Sequence, residues 1–149
     1  MNRKMKAILK ILCLTIIFAF PQIIKSQTMD ITVTNIRSPK GKIVVLVFTN
    51  DTDFKANKAS EILIFDKPEI KDKSCKISIP YKPGVFGISI CDDESGNGKM
   101  DYNFVGVPKE GFGFSNFVLK KLSRPLFSDF SFQLKANETK SITVEIKYL

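Results

Sequence analysis

The chain has 149 residues, 44% of them hydrophobic, and carries 23 Lys and Arg against 15 Asp and Glu, for a formal net charge of +8. It contains no His, which removes the usual general base and the commonest transition-metal ligand. Beyond residue 26 the basic residues are scattered from Arg37 to Lys147 and not gathered into a patch with stacking aromatics, so nucleic acid is excluded as a partner.

The first segment, "MNRKMKAILKILCLTIIFAFPQIIKSQ", sets Arg3, Lys4, Lys6 and Lys10 ahead of an apolar run from Ile11 to Phe20. That order is that of a secretory signal peptide over residues 1–26, with cleavage between the small Ser26 and Gln27. The apolar run is short for a bilayer span, so no stable membrane anchor is expected once it is removed. Cys13 sits too near the start of that run, without small residues before it, to read as a lipidation site. Removal takes away five basic residues and no acidic ones, and leaves a weakly basic domain, 27–149, expected to be secreted or periplasmic. A chain of that length suits one domain with one core.

Beyond Gln27, short β-rich runs alternate with turn signals, and no stretch sustains a helical period. Residues 29–36, "MDITVTNI", alternate apolar and polar. "SPKG" is turn chemistry, and 42–48, "KIVVLVF", is a continuous apolar run of strand length, the mark of a central strand covered on both faces. Residues 49–59 read as a loop with room for one helical turn, and 61–65, "EILIF", as a strand. "CKISI" (75–79) and "VFGISI" (85–90) flank "PYKPG" and predict a hairpin. "FSFQL" (130–134) and the alternating "SITVEIKY" (141–148) complete about seven strands. The fold class expected is all-β: an antiparallel two-layer β-sandwich, immunoglobulin-like or prealbumin-like. The long irregular region 92–129 interrupts the pattern, as functional loops do.

Within that region, "CDDESGNGKMDYNF" (91–104) lays oxygen ligands on a tightly turning backbone. Counted from Asp93, the order puts Asp93, Ser95, Asn97, the Lys99 carbonyl and Asp101 at positions one, three, five, seven and nine, with Gly98 at six. This is most of a calcium ladder of the EF-hand type. Phe104 stands where a bidentate Glu belongs, so Glu110 is expected to close the shell, with Asp92 and Glu94 able to contribute through water. The same residues also read as a bare turn, because Asn97-Gly98 is a strong hairpin signal by itself.

The stretch "DDESGNGKMDYNFVGVPKEGFGFSN" (92–116) resembles the signature of an uncharacterised secreted bacterial family, domain of unknown function 2141. "PGVFGISI" (83–90) and "RPLFSDFSF" (124–132) resemble flanking pieces of the same family. Asp92 stands at the family's His position and Ser95 at its first Asn. The resemblance implies a secreted β-sandwich and supplies no activity.

Three function classes remain to be weighed. An enzyme would have to use carboxylates such as Asp93, Asp101 and Glu110 as a glycosidase pair, but the chain is small and has no Trp for a sugar platform. Ser115 has no neighbouring base to activate it. The expectation is therefore a non-catalytic domain with a structural calcium-binding loop and an envelope or extracellular interaction role. The alternative is a calcium-assisted carbohydrate- or peptide-binding module. Tyr102, Phe104, Phe112 and Phe114 would line a ligand surface on the second reading, whereas Phe alternating with Gly in "GFGFS" predicts that they are core. The glycines at 106, 111 and 113 are expected to serve close approach or positive φ. Opposite facing of Cys75 and Cys91 on their strands predicts no disulfide between them.

Overall fold

The computed structural model describes residues 27–120 and 123–149. The signal-peptide expectation for 1–26, and Cys13 with it, lies outside the described residues. Eight strands, among the described residues, form two sheets packed face to face. β1 (Thr28–Thr34) is the centre of a three-stranded sheet, between β4 (Cys75–Pro80) and β8 (Thr139–Glu145). The five-stranded sheet runs β3 (Glu61–Asp66), β2 (Lys42–Phe48), β5 (Gly84–Asp93), β6 (Gly111–Phe114), and β7 (Ser131–Leu134) shares the β6 side of β5. The all-β sandwich expected from the sequence is the observed architecture, with one departure. β1 and β8 pair in parallel, Ile31 beside Ile142 and Val33 beside Val144, while every other pairing of named strands is antiparallel.

Period-two alternation builds the core. Met29, Ile31 and Val33 of β1 and Cys75, Ile77 and Ile79 of β4 face Ile43, Val45 and Val47 of β2 and Phe86, Ile88 and Ile90 of β5, all buried. Each aliphatic side chain so enclosed contributes about 1.5–3 kcal/mol. β2 is covered on both sides as its unbroken apolar run implies. Its other face turns Val44, Leu46 and Phe48 away from the sandwich, and there Phe48 joins Phe54, Phe114 and Phe130 in a second cluster. The Phe54 ring lies 5.2 Å from Phe48 and 4.8 Å from Phe130, both edge-on. Phe54 comes from α1 (Asp51–Lys55), a single turn capped by Asn50, whose Oδ1 accepts the Asp53 amide at 2.8 Å.

Three expectations are corrected. "CKISI" and "VFGISI" are not a hairpin: β4 pairs with β1 in one sheet and β5 with β2 in the other, so "PYKPG" carries the chain across the sandwich. "GFGF", left inside the irregular region, is the strand β6, and its glycines are the reason it can pack there. A Cβ on Gly113 would stand 2.3 Å from the Glu145 carbonyl oxygen. Phe127–Phe130 form a second helical turn, α2, ahead of β7. Cys75 and Cys91 are free, as their facing predicts: Cys75 points into the sandwich, and Cys91 lies on the opposite side of β5 in the other sheet.

Candidate ligand groove and acidic loop

β5 does not stop where the alternating pattern fades. It runs through Asp92 and Asp93, paired to Ile43 and Lys42 of β2, so both carboxylates begin on rigid strand. The pleat sends them to opposite faces, and both are fully buried. Asp92 faces inward. Lys67 Nζ lies 2.5 Å from its Oδ1, with the two side chains 2% and 0% exposed, in an ion pair off the hydrogen-bonding direction. The Tyr148 hydroxyl donates to Asp92 Oδ2. Lys67 also donates to the Ser38 carbonyl at 2.8 Å. Burial, and then the bond to Asp92, pushes the Tyr148 hydroxyl well above the usual phenol range, so it stays a neutral donor. Outside this pair, Arg37 stacks 4.2 Å from the Tyr148 ring centre and forms an ion pair with Glu94 at 2.6 Å.

Asp93 faces outward into the loop. Its Oδ1 accepts from the Ser95 hydroxyl at 2.9 Å and from the amides of Gly96 and Asn97 at 2.7 and 3.3 Å, and its Oδ2 accepts from the Gly98 amide at 2.6 Å. Gly96 and Gly98 allow this wrap because both take positive φ, 75° and 82°. Burial pushes the Asp93 carboxyl up, but the bonds from Gly98, Ser95, Gly96 and Glu110 together hold it below the usual carboxylate range.

Glu110, buried at the foot of β6, reaches the same loop. It accepts from the Ser95 amide on Oε1 and the Asp101 amide on Oε2, both at 3.3 Å, and the Cys91 thiol donates to Oε2 at 3.5 Å. Asp93, Ser95 and Glu110 are thus brought together, Ser95 giving its hydroxyl to Asp93 and its amide to Glu110. Asn97 and Asp101 form a neighbouring pair instead. The Asn97 amide nitrogen donates to both Asp101 oxygens at 2.9 and 2.8 Å, and its oxygen accepts the Lys99 amide. Among the described residues, no three His, Cys, Asp or Glu side chains converge as a metal-ligand group.

Beside this loop, the outer face of the five-stranded sheet holds a groove of about 480 Å³. Val44 and Leu46 of β2 with Ser89 and Cys91 of β5 make its floor, Ile62 of the edge strand β3 one wall, and the loop from Gly98 to Tyr102 the roof. Phe54, Phe112 and Arg124 close the far end. Arg124 is held there by α1: it lies 4.2 Å over the Phe54 ring and donates to the Phe54 carbonyl and to Asn57 Oδ1. The expectation that all four aromatics are core is corrected. Phe114 is buried and Phe112 half-buried, but Tyr102 is 58% and Phe104 wholly exposed. Phe104 rides on a turn folded around Asn103, beyond the groove, while Tyr102 borders it.

Sequence reasoning missed the groove and Lys67. The outward set Val44, Leu46 and Phe48 was the available signal, since a doubly apolar strand needs a cover on each face. Lys67, in "FDKPE", carries no local mark of its burial.

Residues 31–143, from within β1 to within β8, match the family model described as "Uncharacterized protein conserved in bacteria (DUF2141)", and the chain belongs to that family. No curated protein and no solved structure matches the chain.

Proposed function

We propose that this DUF2141 member is an exported, non-catalytic binding module that takes an extended apolar peptide segment of an envelope or extracellular partner into the groove on the outer face of its five-stranded sheet. The groove itself carries the reading: about 480 Å³ of mostly apolar lining, open beside a strand edge. Among the described residues β3 has only β2 as strand neighbour, and it leaves Ile62 and Ile64 56% and 50% exposed. An extended peptide lying in the groove would set its apolar side chains on Val44 and Leu46, against the Ile62 wall. A sugar fits less well, because the groove has few polar side chains and no Trp platform.

Absence of catalysis is supported by the state of the available nucleophiles. Burial pushes the Cys91 thiol far up, so no thiolate forms. The Ser115 hydroxyl is buried, donating to the Phe130 carbonyl at 2.6 Å and accepting the Ile88 amide. Among the described residues no helix is long and apolar enough to cross a membrane. The test is selection of random hexapeptides against residues 27–149, which contain both sheets and both cores. Alternating apolar sequences should be enriched, and binding should be lost in Ile62→Lys. Equal recovery on wild type and variant would contradict the reading.

The approach of the buried Asp93 and Glu110 carboxyls favours a second reading, in which calcium braces the roof of the groove. The lone pairs left on Asp93 and Glu110 would supply the hard oxygen ligands, joined by Ser95, Asp101, Asn97 and the Lys99 carbonyl only if the Asn97–Asp101 bonds open. Thermal unfolding in chelator against millimolar calcium tests it. Binding to the folded state alone should add about 1.4 kcal/mol at a tenfold excess over Kd, and Asp93→Asn should remove that increment. An unchanged midpoint in the wild type would leave the loop as a hydrogen-bonded turn.

A further inference from the structure

Past the roof of the groove the chain makes a finger, residues 101–109, that neither sheet needs. Its two sides are tied by the Tyr102–Pro108 bridge and by the Lys109 amide donating to the Asp101 carbonyl at 2.9 Å. The tip is built round Asn103. The Asn103 amide donates to the Val107 carbonyl, and its side-chain oxygen accepts the amides of Val105 and Val107 at 3.0 and 2.9 Å. Gly106, at φ 79°, closes the turn by donating to the Asn103 carbonyl. The backbone is therefore fixed without any use of the Phe104 or Val105 side chains. Phe104 is 100% exposed, Val105 66% and Val107 37%.

Such a display on a convex, internally bonded tip differs from an unfilled groove. A rigid apolar peg needs either a matching hole or a soft surface that yields to it, and the charges round the peg favour the soft surface. Lys99 and Lys109 are exposed at its roots. Arg124 and Lys147 meet Pro108, at its base, around a hollow of about 210 Å³ that also contains Leu149. The neighbouring carboxylates reduce this charge without cancelling it: Asp93 and Glu110 are buried and Asp101 is turned to the neutral Asn97 amide, whereas the four cations are all exposed. An apolar tip inside a basic rim meets both demands of an anionic bilayer surface, insertion at the headgroup boundary and attraction of the charge above it. Tyr102 stands between tip and rim, where an amphipathic ring belongs at such a boundary.

We propose that the 101–109 finger docks this protein reversibly on an anionic phospholipid surface, with Phe104 and Val105 entering the interface and Lys99, Lys109, Arg124 and Lys147 facing the headgroups. Phe104 and Val105 lie outside the groove, so the tip variant separates docking from peptide capture, whereas Lys99 and Arg124 border both.

The experiment is vesicle flotation of residues 27–149, with vesicles rich in phosphatidylglycerol or made of phosphatidylcholine alone. Wild type should float with the anionic vesicles and much less with the neutral ones. Replacing Phe104→Ser together with Val105→Ser should weaken partitioning about tenfold or more. Reversing Lys99→Glu and Lys109→Glu should weaken it by at least about fivefold for each residue at low salt. A wild type that stays unbound at low salt, or a tip variant that floats equally well, overturns the proposal. On wild type alone, nitroxide-labelled lipid should broaden the amides of Phe104 to Val107 first, and broadening centred anywhere else would also overturn it.

Discussion

Asp92 and Asp93 are consecutive residues on one strand, both without exposed surface, and they have opposite fates. Asp92 points into the sandwich and finds a full positive charge, Lys67, and a phenol, Tyr148. Asp93 points outward and finds four donors from the loop that follows it, with another carboxyl, Glu110, alongside. Burial therefore does not by itself mark a functional carboxylate. The inward one is neutralised by a partner from β3's end of the fold and serves the architecture. The outward one organises a loop that roofs the groove, and it shares Ser95 with a second carboxyl, Glu110, which gathers the oxygens a cation would need.

The contrast is broken most forcefully on the inward side. Asp92→Ala would leave the Lys67 ammonium buried and unpaired, and should cost about 3–5 kcal/mol by urea unfolding. Replacing both partners, Lys67→Met with Asp92→Leu, should return stability close to the wild-type value, because the cost lies in the orphaned charge more than in the missing bond. If the double variant is as unstable as the single one, the pair does something more specific than neutralise.

On the outward side, Asp93→Asn keeps the shape but turns an NH₂ group toward backbone amides that need an acceptor. A loss of about 2 kcal/mol is expected. Hydrogen exchange should localise it, with the Gly96 and Gly98 amides losing protection while the β2–β5 ladder keeps its own. The same residue sets a pH response. Asp93 and Glu94 both titrate below their ordinary values of 3.8 and 4.5, Asp93 through the loop's hydrogen bonds outweighing its burial and Glu94 mainly through Arg37. Groups depressed in the folded state contribute stability that is complete above the unfolded pKa and lost as pH falls through the folded one. Stability should hold from neutrality to about pH 5 and decline below about pH 4, with a shallower decline in Asp93→Asn.

The smallest effect sharpens the boundary between the two sites. Arg37 touches both, through Tyr148 on the Asp92 side and Glu94 on the loop side, but its side chain is half exposed. Arg37→Ala should cost under about 1 kcal/mol and fade further in high salt.

Much of the sandwich was legible because alternation is a local signal. Ile31, Val33, Ile77, Ile79, Ile142 and Val144 face inward as their spacing implies. What failed was long-range. "PYKPG" has hairpin chemistry, yet its strands join different sheets, and no local pattern reports which partner a strand selects. β6 escaped because "GFGF" carries two glycines, which propensity counts against strand, while packing against β8 demands them. In the loop, Asp93 and Ser95 meet Glu110, which the sequence offers only as the nearest acid able to stand in for the missing position twelve. Asn97 turning to Asp101 is a choice among hydrogen-bond partners that spacing leaves open. Lys67 beneath Asp92 had no sequence signature at all.

The central claim is that the outer face of the five-stranded sheet is the binding face. Amide chemical shifts of residues 27–149, followed during titration with an alternating apolar hexapeptide, test it most directly. The account predicts shifts that saturate and concentrate at Leu46, Ile62, Cys91, Met100 and Tyr102, with Thr32, Lys76 and Thr143 of the three-stranded sheet unmoved. Shifts confined to that other sheet, or none at saturating peptide, would contradict it.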